Sequence, residues 1–237
     1  NIPSPTVTNI LCKAGLDFIV LDLEHGPATF ETVENQMYAA EADGVSPVVR
    51  IGEVDEKAIL HALEIGAQSI LVSQVGSRSE ADRVVKAMRY HPEGERGVSL
   101  FTRNFGYSER DYEQKIPQLN KEMFTGVLVE GKEGLENIES ICDIEHLDMI
   151  YLGIYDISQV LGVPGEVTNP EVIKVVQECG RLIQSLGKIA GSVAPTVEYM
   201  RILIDAGYQF VSYRADSAML VNSYQEAREK FLECLAD

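Results

Sequence analysis

The chain has 237 residues, 45% hydrophobic and 24% charged, which is enough for a sizeable core within one large domain. Its 37 acidic and 20 basic residues leave a formal net charge of −17, which repels phosphate backbones and anionic membranes and argues against nucleic acid or a membrane surface as partner. The four cysteines (Cys12, Cys142, Cys179, Cys234) are far apart and make no ligand spacing, so they read as structural thiols of a reducing, cytoplasmic compartment.

No run approaches the roughly 18 apolar residues of a membrane span, and no signal peptide is visible. The chain starts at Asn1 rather than at a methionine, which leaves room for a preceding segment.

In chain order, the hydrophobic pattern predicts a helix over 5–14, then a strand at Asp17–Leu23 and a helix over 30–43. A strand at Pro47–Arg50, a helix over 55–65, a strand at Ser69–Ser73 and a helix over 78–89 follow. The stretch 90–123, rich in glycine, aromatics and arginine, interrupts this rhythm and reads as a long loop insertion. Strands at Thr125–Glu130, Asp148–Gly153, Lys188–Val193 and Gln209–Tyr213 then alternate with helices over 132–144, 169–186, 196–206 and 216–234.

Runs such as "FIVL", "GVLV" and "MIYL" are apolar on both faces, as strands of a covered parallel sheet must be. Strict α/β alternation allows a doubly wound sheet or a (β/α)8 TIM barrel. The G-x-G-x-x-G expected after the first strand of a dinucleotide-binding sheet is missing, and the helix over 5–14 has no strand before it. The reading is therefore one barrel domain over 1–237, its first strand upstream of residue 1.

Working residues of such barrels gather where strands end. Asp22, Glu24 and His25 close the first visible strand, and Arg50 closes the next. Glu130 ends "GVLV", Asp156 lies just past "MIYLG", and Arg214 and Asp216 follow the last strand. Glu130 and Asp156 come from consecutive strands and can share a hard divalent cation, magnesium or manganese, through oxygen alone. As plain strand-end acids they would need no metal. Arg50 can hold a carboxylate or oxyanion bidentately, or can tie down Asp22 and Glu24. His25, three residues after Asp22, suits a general base better than His61 in a helix, His91 in the long loop or His146 before a strand.

The segments "AGLDFIVLDLEHGP", "PVVRI", "LEIGAQSILVSQV", "RYHPEGERGVS", "VLVEGKEGLENI", "YLGIYDISQVLG" and "NPEV" resemble, in order and spacing, the HpcH/HpaI aldolase family of metal-dependent class II pyruvate aldolases. The resemblance runs nearly end to end. It implies a (β/α)8 barrel of the phosphoenolpyruvate/pyruvate superfamily with a strand before the first helix. It also implies metal ligands at Glu130 and Asp156, a catalytic histidine at His25 oriented by Asp22, and an enolate-stabilising arginine at Arg50. Backbone around Gly153, Ile154 and Tyr155 would meet the carboxylate of a 2-oxo acid. The cofactor would be Mg2+ or Mn2+, with Co2+ as a third candidate. The substrates would be a small 2-oxo acid and an aldehyde, and the assembly a homo-oligomer, a hexamer by resemblance.

Several positions depart from the family's pattern, among them His91 in "YHP" and Glu64 for an aspartate. Ser73 stands for a proline, Leu128 for a glutamine, and Ile154 and Tyr155 for the proline and alanine of "GPADL". Two further readings remain open at this point: a citrate-lyase-like hydroxyacyl-CoA lyase, which the acidic composition disfavours, and a non-catalytic barrel that binds metal and oxo acid.

Overall fold

The computed structural model describes residues 1–236. Seven parallel strands pair in strict chain order, each with its neighbour in sequence. They are β1 (Phe18–Asp22), β2 (Ser46–Ile51), β3 (Ser69–Val72), β4 (Phe124–Val129), β5 (Met149–Leu152), β6 (Ile189–Ala194) and β7 (Phe210–Tyr213). All seven coincide with the strands read from the hydrophobic runs. The helices α1 (Pro5–Cys12), α2 (Phe30–Glu41), α3 (Glu56–Glu64) and α4 (Arg78–Met88) accompany the first half of the sheet. α5 (Tyr112–Glu122) precedes β4; α6 (Lys132–Glu136), α7 (Ile138–Cys142), α8 (Ile154–Val160), α9 (Pro170–Ser185), α10 (Val197–Asp205) and α11 (Asp216–Ala236) follow it.

Local chemistry explains most of these boundaries. Ser4, Thr29, Asp55, Asn169 and Thr196 each cap a helix start by accepting a first-turn amide. Ser77 and Glu80 form a reciprocal capping box at α4. The helix expected over 132–144 is broken in two at Asn137, whose side-chain amide donates to the carbonyl of Gly76 at 2.9 Å. The stretch 90–123 is less of a loop than its composition implies, because it contains α5 and a 3-10 turn at Arg103–Phe105. Tyr90, Phe105 and Leu119 make a small core of their own there.

The doubly apolar strands serve two cores. Outward side chains such as Val49, Ile70, Val127 and Ile150 pack under the helices. Inward side chains Val48, Leu71, Leu128, Met149 and Tyr151 fill the concave face. The sheet curls so far that Phe18 of β1 stacks on Phe210 of β7, with ring centroids 3.8 Å apart. The backbones of these two edge strands are not paired with each other, so the eighth strand expected from the barrel reading is not part of this sheet. Gly191 makes room for the ring of Tyr151, since a Cβ there would come within 2.8 Å of its Cδ2.

α11 differs from every other long helix in burying none of its residues. Met219, Leu220, Val221, Tyr224, Phe231, Leu232 and Leu235 are all exposed along it. Among the described residues, no helix is long and apolar enough to cross a membrane.

Candidate active site

Parallel register carries Asp22 directly beside Arg50, so the C-terminal ends of β1 and β2 form a pair. Arg50 Nε donates to Asp22 Oδ1 at 2.9 Å and Nη2 donates to Oδ2 at 2.6 Å, a two-pronged fit of planar guanidinium to carboxylate. Arg50 Nη1 lies 3.2 Å from Glu24 Oε2, which also accepts the Ser73 hydroxyl at 2.8 Å. Burial works against the Asp22 carboxylate, but the hydrogen bonds and charge of Arg50 outweigh it and hold its pKa below the usual range. Arg50 is shifted the other way: burial lowers it, and Asp22 and Glu24 more than restore its charge.

His25 stands apart from this pair. Its backbone amide points to Asp22 Oδ1 at 3.4 Å, and that of Glu24 donates to the same oxygen at 3.0 Å. The nearest carboxylate to the imidazole is Glu24, with Nε2 and Oε2 3.8 Å apart, and the ring is 67% exposed. Asp22 thus fixes the turn that presents His25, while Glu24 is the acid beside the ring. Two of the other histidines are occupied elsewhere. His61 packs edge-on to Phe30, and His146 lies near Glu93 and Glu145.

Glu130 follows β4, and Asp156 sits in the first turn of α8, a short helix that the sequence pattern does not reveal. Burial comes first in pushing the Glu130 carboxyl up to about 7, followed by the charge of Asp156 and a hydrogen bond shared with it. Two acids crowded together at such cost need a cation or a shared proton. Gly153 is the close approach that allows this, since a Cβ there would come within 2.7 Å of Glu130 Oε2. Asp156 Oδ1 accepts from Gln159 Nε2 at 2.7 Å, which fixes its rotamer.

These groups converge. A cavity of about 740 Å³ is lined by Asp22, His25, Arg50, Glu130, Gly153, Ile154, Tyr155 and Asp156, and on its inner wall by Leu71, Leu128 and Tyr151. A second hollow of about 490 Å³ opens on the other side of the acid pair, at Gln74, Lys132 and Gln159. Among the described residues no group of three or more His, Cys, Asp or Glu is arranged to hold a metal ion. Any ion at Glu130 and Asp156 would need oxygen ligands beyond these two carboxylates. The donor set, two carboxylates in an all-oxygen setting, fits a hard divalent cation on those terms. Sequence reasoning named Asp22, His25, Arg50, Glu130 and Asp156 as the working residues; it named Glu24 and Ser73 too, but not the tasks they have here, Glu24 as the acid facing the imidazole and Ser73 as its hydroxyl partner. Their spacing of 49 residues carries no periodic signal.

The sequence profile of the family described as HpcH/HpaI aldolase/citrate lyase matches residues 2–223. The pyruvate aldolase of Rhizobium etli is 31% identical over 230 residues, covering 97% of this chain and 90% of that one. The 5-keto-4-deoxy-D-glucarate aldolase of Shigella boydii is 32% identical over 231 residues, covering 97% and 89%. In the solved structure of an HpcH/HpaI aldolase/citrate lyase family protein from Burkholderia cenocepacia the same fold recurs with a TM-score of 0.91 and 25% identity, over 97% of this chain and 91% of that one. With a full-length profile match and relatives that are aldolases by name, this lyase belongs to the HpcH/HpaI aldolase/citrate lyase family.

Proposed function

We propose that the chain is a divalent-metal-dependent aldolase that reversibly cleaves a 4-hydroxy-2-oxo acid to pyruvate, or a related 2-oxo acid, and an aldehyde. The observation that carries this reading is the facing arrangement of two crowded carboxylates, Glu130 and Asp156, and a guanidinium, Arg50, around one cavity. A magnesium or manganese ion held by Glu130 and Asp156 would supply Lewis acidity toward a chelating 2-oxo acid. First-turn amides of α8, at Ile154 and Tyr155, have no partner within the helix and suit the substrate carboxylate.

His25, exposed and free to turn, takes the proton of the C4 hydroxyl. The C3–C4 bond then breaks, its electron pair moves toward the C2 carbonyl, and the aldehyde leaves. Arg50 meets the developing enolate oxygen. Of its five N–H groups, two bond Asp22 and a third faces Glu24, which leaves two for substrate. Protonation at C3 yields pyruvate. Exchange of the pyruvate methyl protons in D2O, followed by NMR with added Mn2+, tests the first half-reaction without any aldehyde. His25→Ala is expected to slow that exchange by roughly 10²- to 10⁴-fold; exchange at the native rate would remove His25 from the proton transfer.

The seven strands are best read as those of an eight-stranded barrel whose remaining strand fills the gap between β7 and β1, which supports a single domain. We also propose a homo-oligomer joined through α11, since a helix of 21 residues with a largely apolar face and no buried residue needs a second copy to cover it. Leu220→Lys with Phe231→Lys is expected to lower the mass measured by light scattering.

A further inference from the structure

Glu24 is a rim acid that the reaction above leaves without a task, although its surroundings are closely built. Asp22, His25 and Arg50 line the cavity; Glu24, which touches the last two, does not. Its side chain is only 10% exposed. A strand-end acid that merely faced water would need no such enclosure.

The side chain leaves the end of β1, crosses the end of β2 and lands on β3. Gly52, the first residue past β2, gives it room, since a Cβ there would come within 3.2 Å of Glu24 Cγ and 3.4 Å of its Cβ. On β3, Leu71 faces the concave side and Val72 the helices, so strand alternation turns Ser73 inward again. The Ser73 amide donates to the carbonyl of Ile51 at 2.8 Å, which carries the β2–β3 ladder one residue past β3 and fixes the serine backbone. A proline at this position would have neither the amide nor the hydroxyl. Ser73 is fully buried, and its Oγ donates to Glu24 Oε2 at 2.8 Å. The same oxygen lies 3.2 Å from Arg50 Nη1 and 3.8 Å from His25 Nε2. One carboxylate oxygen therefore sits between the guanidinium and the imidazole of the cavity, and a buried hydroxyl on a third strand holds it there.

We propose that Ser73 is a positioning residue: its hydroxyl pins the Glu24 carboxylate between Arg50 and His25, so that Glu24 orients the imidazole. A small turn of the exposed ring brings Nε2 into hydrogen-bond range of Oε2. Glu24 then balances the imidazolium that forms when His25 takes the C4 proton; the proton stays on His25 and passes to neither Glu24 nor Ser73. Without the hydroxyl, the guanidinium is the strongest pull on Glu24 and draws the carboxylate onto Arg50 and off the ring. This inference rests on the aldolase reading, which supplies the reaction in which His25 works.

The test follows pyruvate methyl exchange in D2O with Mn2+ and resolves kcat from KM. Ser73→Ala is expected to lower kcat about 10-fold, the worth of one hydrogen bond to a charged group, with little change in KM because Glu24 does not line the cavity. Ser73→Cys fills the same space with a poor donor and should be as slow, which guards against a packing defect. Ser73→Thr restores the hydroxyl and should recover most of the rate. Glu24→Gln should be at least as slow as Ser73→Ala, and the double variant no slower than Glu24→Gln alone, because the serine acts through the carboxylate. Native kcat in both Ser73→Ala and Ser73→Cys, a loss that falls on KM, or single effects that multiply in the double variant would overturn the proposal. Exchange by the native protein separates the two readings. Exchange that the Ser73 variants leave untouched sinks the Ser73 assignment alone, whereas absence of native exchange sinks the aldolase reading and this one with it.

Discussion

Arg50→Ala is expected to lower the rate of pyruvate exchange by roughly 10²- to 10³-fold, the loss typical of one oxyanion donor. It should also destabilise the protein by about 2–4 kcal/mol, somewhat under the usual range for breaking a buried pair because the guanidinium is partly exposed. The two effects share one origin. Asp22, almost fully enclosed, keeps its charge through Arg50, and without it the carboxylate is left beside Glu24 with only amides for company. The sign of the pH dependence follows. A carboxyl held below its unfolded value near 3.8 adds stability above that value and loses it as pH falls through the folded one. The variant should therefore trail the native protein most at neutral pH and least in acid, as urea unfolding at several pH values would show. Arg50→Lys keeps a charge but not the fork, and should recover stability better than rate. Equal stability of Arg50→Ala and native protein at pH 7 would contradict the buried-pair account.

Glu130→Gln is expected to abolish metal-dependent exchange. Removing one of two carboxylates should weaken Mn2+ binding by more than the roughly 10- to 100-fold that loss of an outer-shell partner costs. Because the Glu130 proton comes off only at about 7, metal must displace it below that pH. Affinity should then fall by about tenfold per pH unit on the acid side and level off above pH 7. The metal-free protein has the opposite stability trend to the Asp22 case. A carboxyl raised from 4.5 to about 7 favours the folded state at low pH, and that advantage is lost as pH climbs between those values. Thermal melts of metal-free native protein should decline across that window, and those of Glu130→Gln should not. A flat profile in both would mean that the acid pair is not under the electrostatic load described here.

The strands were legible because each is a short run apolar on both faces, a pattern that a covered parallel sheet forces on its sequence. The rim residues were legible for the complementary reason: Asp22, Arg50 and Glu130 break such runs abruptly with a charge. α8 was not, because its seven residues span barely two turns and follow β5 after a single glycine, leaving too little length for a helical period to show. α5 was hidden by Pro117 in its interior and by the aromatic, glycine-rich stretch before it. The spacing of Asp22 and His25 pointed to a carboxylate that orients an imidazole. In three dimensions the guanidinium of Arg50 claims that carboxylate, and a residue adjacent to His25 in sequence, Glu24, faces the ring instead. Such competition between partners depends on register across strands, which no local window contains.

The order in which the strands pair has a consequence for how the machinery is divided along the chain. Every pairing in the described sheet joins neighbours in sequence, so a cut in the segment between β3 and β4 divides that sheet at the β3–β4 pairing alone. The piece before the cut would carry Asp22, Glu24, Arg50 and Ser73 as an intact anion-handling unit. The piece after it would carry Glu130, Gly153, Asp156 and Arg214. Neither fragment holds both an acid pair and its opposing guanidinium, so chemistry would arise only on reassembly. The molecule is thus a natural substrate for fragment complementation, with catalysis itself as the reporter that the two halves have met.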